Sequence, residues 1–395
     1  MKKIILFLWF SFAFSIGICA QNNDIRRIVD EIQTKYVPDQ RVLEYNIDIK
    51  QQDNTPTLTG VVSDVQVYQE LINSLKTASV PFVDSIRVLP DKKAIGEKCW
   101  AFVPLSVINI SNKPLFSAEI VSQTLMGTPI KLLDKSRGGW TQIQTPDGYI
   151  GWTNTDLDGI TEQQRKAYNA KEKLIVTAHN AVVYEKGNKK SAVVSDVVMG
   201  NLLALEGKYG DAEFCAVSLP DGRKGFISTA ETLPFTVWKK GIHLSGDNLI
   251  HLGKEFTGLP YFWGGTSARG MDCSGFTKTL YYMHGIILPR DASQQYRCGT
   301  EIDTSNGFGN LQKGDLLFFG RKNENDPGNP AIIHVAMYIG NNQFIHSSNT
   351  VRISSFDPQS PNFDEYNLKR FIGAKRILGV PVNGYWSIFE HEWYK

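Results

Sequence analysis

Along residues 24–97 the apolar positions switch between two periods. In IRRIVDEIQTKY (25–36) they recur three and four residues apart, which predicts an amphipathic helix. YNIDIK (45–50) and TLTGVV (57–62) alternate as strands do, VYQELINSLKTA (67–78) returns to helical spacing, and VDSIRVLP (83–90) ends as a strand. The order is α-β-β-α-β. Beyond it, VSQTLMG (121–127) is echoed by VSDVVMG (194–200), and PDGYIGW (146–152) by PDGRKGF (220–226). The paired blocks lie 73 and 74 residues apart, so one single-residue shift separates them. Each copy carries short alternating strands, Gly-rich turns and a late aromatic, the pattern of a small β-barrel. From about residue 240 the texture changes again. A helical stretch (247–256) leads into GLPYFWGGTSARGMDCSGF, then a strand-like GDLLFF, a polar loop (320–330) and HVAMYIGNNQFIHSS. This last region reads as an α+β domain, a helix followed by an antiparallel sheet.

Composition adds a compartment and removes some partners. The chain of 395 residues opens with Lys2 and Lys3, a short apolar run and Ile18-Cys19-Ala20, the pattern of a cleaved secretory leader. Cys19 raises lipid attachment as an alternative, but Ile18 is bulkier than the residue usual before such a cysteine, so cleavage after Ala20 is favoured. No later stretch is apolar over a bilayer's thickness, so the mature chain is expected to be exported, periplasmic or envelope-associated, without an integral membrane segment. A formal charge of +2 with no basic stripe gives no footing for nucleic-acid binding. Cys99, Cys215, Cys273 and Cys298 are scattered and form no CxxC pair, unlike a disulfide scaffold or a structural zinc site.

Cys273 is the residue these exclusions leave to explain. Phe276, Leu280 and Met283 follow it at helical spacing and Gly285 is a plausible stop, which puts the thiol in a helix's first turn. Unpaired N–H groups and the helix dipole favour a thiolate there. Asp272 suits an N-cap, and on helix physics alone that role competes evenly with substrate contact. A thiolate needs a base, for which histidine is the usual choice. His334 and His346 flank a Gly340-Asn341-Asn342 turn at nearly equal distances, so a hairpin would bring them within cross-strand reach. A one-residue slip would put them on opposite faces. Cys215 and Cys298 read as buried bystanders, His251 and His284 as unrecruited, and Trp263 with its glycines as cleft wall.

In family order, PYFWGG, GMDCSGF, GIILPRDASQQ, GDLLFF, HVAMYIG and FIHSS resemble the NlpC-type cysteine peptidases of bacterial peptidoglycan, over roughly residues 240–378. The two repeats resemble bacterial SH3-like domains, and residues 21–98 resemble the small BON-type modules of exported bacterial proteins. Together the architecture looks like that of γ-D-glutamyl-L-diamino acid endopeptidases of the dipeptidyl-peptidase VI type. The resemblance implies a multidomain chain: a leader (1–20), an α+β module (21–98), two SH3-like barrels (99–165 and 166–238), and a papain-like α+β catalytic domain with a C-terminal tail (239–395). It makes Cys273 the nucleophile, His334 the general base and His346 its orienter, with no metal or cofactor. The Cys273 N–H and Tyr261 would form the oxyanion hole. The implied substrate is a peptidoglycan stem peptide, L-Ala-γ-D-Glu-diamino acid, with a free amino terminus that Asp272 would pair. Ser274, Asp291 and Ser293 match positions lining that pocket. Glu119 and Tyr149 match an acid and a tyrosine that close it, or are ordinary barrel residues. Two rivals remain: a catalytically silent peptidoglycan-binding protein, and an amidase or acyltransferase of the same fold.

Overall fold

The computed structural model describes residues 22–395 except 53, 54, 137, 211, 327 and 382. The leader expected over residues 1–20 lies outside the described residues. No helix among the described residues is long and apolar enough to cross a membrane.

The amino-terminal unit follows the period changes seen in its sequence. Helix α1 (22–36) buries Ile25, Ile28, Val29 and Ile32 on one stripe. Strands β1 (Tyr45–Gln52) and β2 (Thr55–Val62) pair antiparallel. Helix α2 (Val65–Thr77) then crosses over, so that β3 (Val83–Val88) returns parallel to β2. Asp64 caps α2 by accepting from the Gln66 and Val67 N–H groups, and Val67, Leu71 and Leu75 close the core from that helix. A short helix α3 (Lys92–Ile95) ends the unit.

A six-stranded and a seven-stranded sheet follow, one from each sequence repeat. The first contains β4 (Trp100–Phe102), β5 (Val107–Ser111), β6 (Ile120–Leu125), β7 (Pro129–Lys135), β8 (Thr141–Gln144) and β9 (Ile150–Thr153), in the order β4-β7-β8-β9-β5-β6. Helix α4 (Glu162–Asn169) connects the sheets and straddles the boundary expected between residues 165 and 166. The second contains β10 (Lys173–Val176), β11 (Asn180–Tyr184), β12 (Val193–Val198), β13 (Leu202–Leu205), β14 (Phe214–Ser218), β15 (Lys224–Ser228) and β16 (Thr232–Pro234). Its order is β12-β11-β15-β14-β13-β10-β16.

The remaining chain builds a helix against an antiparallel sheet. Helices α5 (Phe235–Gly241) and α6 (Gly246–Glu255) precede a small hairpin of β17 (Thr266–Ser267) and β18 (Gly270–Met271). The hairpin delivers the chain into α7 (Cys273–Tyr282). After β19 (Ile286–Ile287) and α8 (Ala292–Gln295) comes the main sheet: β20 (Thr300–Ile302), β21 (Leu316–Arg321), β22 (Ala331–Gly340), β23 (Gln343–Ser348), β24 (Thr350–Ser355) and β25 (Phe371–Arg376), with α9 (Glu365–Lys369) before its last strand. Their spatial order is β20-β25-β21-β22-β23-β24. In the tail, β26 (Trp386–Ser387) pairs with β19. Phe276, Leu280 and Tyr281 of α7 are fully buried among residues of α6, β22 and β23. Each such side chain contributes about 1.5–3 kcal/mol of burial, which fixes α7 on the sheet. Gly253 of α6 lets the helices approach, since a Cβ there would stand 3.3 Å from both Leu280 and Phe276.

Candidate active site

Helix α7 begins where its cap dictates. Asp272 is extended, with its Oδ1 accepting from the Gly275 N–H at 2.7 Å, so Cys273 is the first helical residue. The Cys273 sulfur sits against the backbone N–H groups of Ser274 and Val335, the latter next to His334 in β22. Tyr261 lies within electrostatic reach of both Cys273 and Asp272. The structure thus gathers Cys273, Asp272, Tyr261 and His334 at one place.

The histidines meet by a route other than the equal spacing suggested. Asn341 and Asn342 both adopt positive φ (52° and 57°), the pair a type I′ turn needs, and Gly340 pairs with Gln343. Unbroken, that register would set His346 opposite Met337, three residues from His334 and on the other face. Instead Tyr338 pairs with Phe344 and Met337 with Ile345, leaving Ile339 as a bulge. His346 then falls opposite Ala336, two residues from His334 and on its face. His334 Nε2 and His346 Nδ1 are 2.8 Å apart, and His346 Nε2 lies 3.1 Å from Ser354 Oγ on β24. Ser354 carried no sequence signal, because its relation to His346 depends on strand pairing.

Burial dominates the electrostatics here. It pushes the Cys273 thiol up to about 11, with the Asp272 carboxylate acting in the same direction, against the opposing pull of the two backbone N–H groups and Arg290. It holds His334 well below the usual imidazole range, helped by His346 and Arg370. It lowers His346 to about 3, helped by Arg352 and Arg370. Both rings are therefore neutral. If His346 Nε2–H donates to Ser354, its Nδ1 accepts from His334 Nε2–H, and the remaining nitrogen of His334 is left as an acceptor. That is the tautomer a base beside a thiol requires.

Asp272 is more occupied than its assignment as an amine-binding acid anticipated. Its Oδ2 accepts from the Gly264 N–H at 3.0 Å, its Oδ1 from Ser274 Oγ at 3.3 Å, and Arg290 grips both oxygens with its two terminal nitrogens. Arg290 is 1% exposed and also donates to Ser274 Oγ at 2.9 Å. Sequence reasoning passed over Arg290, although it stands in LPRDAS directly before Asp291. Asp291 is the N-cap residue of α8, with its backbone N–H bonded to Gln294 Oε1 at 3.0 Å, and Ser293 lies within that helix. Asp291 also lies within electrostatic reach of Arg290 and of Lys278 on α7. Glu119, immediately before β6, accepts from Trp263 Nε1 at 2.7 Å and from Asn112 Nδ2 at 3.3 Å. Tyr149, buried in the β8–β9 turn, lies within electrostatic reach of Arg290. Asp147 in the same turn pairs with Lys278 of α7 at 2.7 Å, both largely buried, and this ties the turn to the helix that carries Cys273.

The other cysteines and histidines stand apart. Cys99, Cys215 and Cys298 are free, and burial pushes Cys298 up to about 12. His284 Nδ1 faces the Leu280 carbonyl at 2.7 Å, and His251 lies 3.5 Å from Glu255. Among the described residues no group of His, Cys, Asp and Glu could hold a metal ion.

A thiol at a helix start, beside two neutral imidazoles in series on an antiparallel sheet, is the arrangement of a papain-like cysteine peptidase. Comparison with known proteins agrees. The model of the NlpC/P60 family matches residues 258–375, and that of the bacterial dipeptidyl-peptidase Sh3 domain matches residues 110–156. The chain is 34% identical over 270 residues to the gamma-D-glutamyl-L-lysine dipeptidyl-peptidase of Bacillus cereus, an alignment spanning 66% of this chain and 76% of the relative. It is 26% identical over 267 residues to dipeptidyl-peptidase 6 of Lysinibacillus sphaericus, spanning 66% and 93%. A crystal structure of an NlpC/P60 family protein from Bacillus cereus superposes with a TM-score of 0.58 at 28% identity, covering 70% of this chain and 99% of that one. This chain belongs to the NlpC/P60 family of cysteine peptidases.

Two outcomes follow from the buried charges. Asp272→Ala would strand Arg290 without its counter-charge and should cost about 3–5 kcal/mol in urea unfolding, part of it recovered by adding Arg290→Met. Loss below 1 kcal/mol would show that the pair is not buried as described. The second concerns pH. His346 stays neutral in the fold but takes a proton near pH 6.5 when unfolded, so stability falls as pH drops from about 6.5 toward 3. At pH 5 its share is about 2 kcal/mol. Urea unfolding at pH 7.5 and pH 5 should show this loss shrinking in His346→Gln, and an unchanged loss would contradict it.

Proposed function

We propose that this peptidase is exported and hydrolyses the γ-D-Glu–diamino acid bond of peptidoglycan stem peptides bearing a free N-terminal L-Ala. The observation that carries the chemistry is the neutral His334–His346–Ser354 chain beside the Cys273 thiol. As sulfur attacks the γ-carbonyl, His334 takes the thiol proton and then gives it to the leaving amine. Burial disfavours a resting thiolate, so proton transfer accompanies attack. The carbonyl oxygen, negative in the tetrahedral intermediate, is met by the Cys273 N–H and the Tyr261 hydroxyl. The C–N bond breaks to leave a thioester, which water hydrolyses with His334 as base.

Substrate choice rests on the two relatives described above, both named for dipeptidyl-peptidase activity and one of them for a γ-D-glutamyl-L-lysine bond. It also rests on the acids at the Asp272 end of the site. Asp272 and Arg290 neutralise each other, so a substrate ammonium needs a further negative charge. Glu119 supplies it: both of its hydrogen-bond donors, Trp263 and Asn112, are neutral. The Trp263-Gly264 stretch bridges the two acids, since Gly264 N–H binds Asp272. Tyr149 closes this end over Arg290. A stem still joined to sugar has a neutral amide in place of the ammonium, which places the enzyme after an amidase. The secretory leader pattern at residues 1–20 supports an envelope location.

Incubation with defined stem peptides, read by mass spectrometry, tests both parts. L-Ala-γ-D-Glu-diamino acid peptides should be cut between Glu and the diamino acid, and Cys273→Ala should abolish cleavage. N-acetylation should cost about 2–5 kcal/mol, roughly thirty-fold to several thousand-fold in kcat/KM. Glu119→Gln should narrow that gap. Equal rates on free and acetylated peptides would refute amine recognition, and full turnover by Cys273→Ala would refute the thiol mechanism.

A further inference from the structure

The two barrels repeat one sequence block, and the same position of that block faces the same hairpin. Gln123 of VSQTLMG and Asp196 of VSDVVMG are equivalent, on β6 and β12. Gln123 Oε1 accepts from the Thr266 N–H at 3.0 Å and from Ser267 Oγ at 3.1 Å, and its backbone oxygen accepts from Thr266 Oγ1 at 3.0 Å. Its amide nitrogen is held in turn by Asn109 Oδ1 at 3.0 Å. Asp196 pairs with Arg269, in the turn of the same hairpin, and accepts from Ser106 Oγ at 2.7 Å. The first barrel thus grips β17 and the second grips the turn that follows it.

That hairpin hands the chain directly to Asp272 and Cys273. Its far end is tied to the base side of the site, because Ser347 Oγ, next to His346, donates to the Met271 carbonyl at 2.7 Å. Thr279 of α7 donates to the Thr266 carbonyl at 3.3 Å. The hairpin is therefore bonded to the nucleophile's helix, to the strand of His346 and to both barrels. At the PDG turn the first copy reaches the catalytic domain through Asp147 and Lys278, whereas Asp221 of the second pairs with its own neighbour Arg223 at 2.7 Å.

We propose that Gln123 and Asp196 are paired positioning residues, through which both barrels clamp the Thr266–Met271 hairpin and so set the Cys273 thiol against His334. The barrels then serve as part of the catalytic frame. Gln123 carries the larger share, since its bonds are partly buried and reach a backbone N–H. The Asp196–Arg269 pair is half exposed and contributes less.

The inference rests on Cys273 as nucleophile, so its test includes a readout that needs no substrate. In the full chain, Gln123→Ala should lower kcat on L-Ala-γ-D-Glu-diamino acid by about ten- to a hundred-fold with KM little changed, because small displacements of reacting groups cost rate and not ground-state binding. Asp196→Asn should lower kcat a few-fold, and Asp221→Ala should leave it unaltered. The rate of Cys273 alkylation by iodoacetamide should shift in Gln123→Ala, at temperatures where circular dichroism shows the variant folded. A folded Gln123→Ala with unchanged kcat and unchanged alkylation would overturn the proposal. So would a kcat loss matched by the unfolded fraction alone. If no stem peptide is cut by the wild type but alkylation still shifts, the substrate reading fails and the clamp stands.

Discussion

The site depends on one buried carboxylate. Asp272 caps α7, which makes Cys273 the first residue of the helix, and its other oxygen holds the Gly264 N–H. A carboxylate this deep needs several donors and a counter-charge, and Arg290 supplies the latter from the segment entering α8. One side chain thereby fixes the helix start, the Trp263–Gly265 turn and the approach of α8. The close packing around it leaves little slack: a Cβ on Gly275 would lie 1.9 Å from the Gly265 carbonyl oxygen, and one on Gly264 would lie 2.4 Å from that of Ile120. Glycine is required at these points because backbones meet there.

The second constraint is neutrality around the thiol. Asp272 and Arg290 cancel, His334 and His346 are uncharged, and burial keeps the thiol protonated. A neutral resting state avoids the cost of separated charges among buried groups. It also makes the tautomer decisive, since only one proton order along Ser354, His346 and His334 leaves a lone pair for the thiol. Charge would develop only as a bound carbonyl is attacked.

Much of this was legible in the sequence because it was local. The α-β-β-α-β order, the helix start at Cys273 and the two barrels all rest on periodicity or on a repeated block. What escaped depended on pairing between distant segments. Equal spacing of His334 and His346 from the turn would have failed without the bulge at Ile339, which no residue type announces. Arg290 was in plain view as a charged residue, yet its burial against Asp272, eighteen positions away, follows only from how α8 docks. The same holds for Gln123, which reads as an ordinary strand residue until the hairpin it grips is in place.

In the proposed mechanism the Cys273 sulfur becomes covalently acylated, with His334 managing the proton. Rapid acid quench during hydrolysis of L-Ala-γ-D-Glu-diamino acid, followed by peptide mapping, addresses it directly. The expected result is an L-Ala-γ-D-glutamyl mass increment on the Cys273 peptide, formed in step with the first equivalent of released diamino acid. A burst of released diamino acid with Cys273 unmodified, or the increment on any other residue, would contradict it.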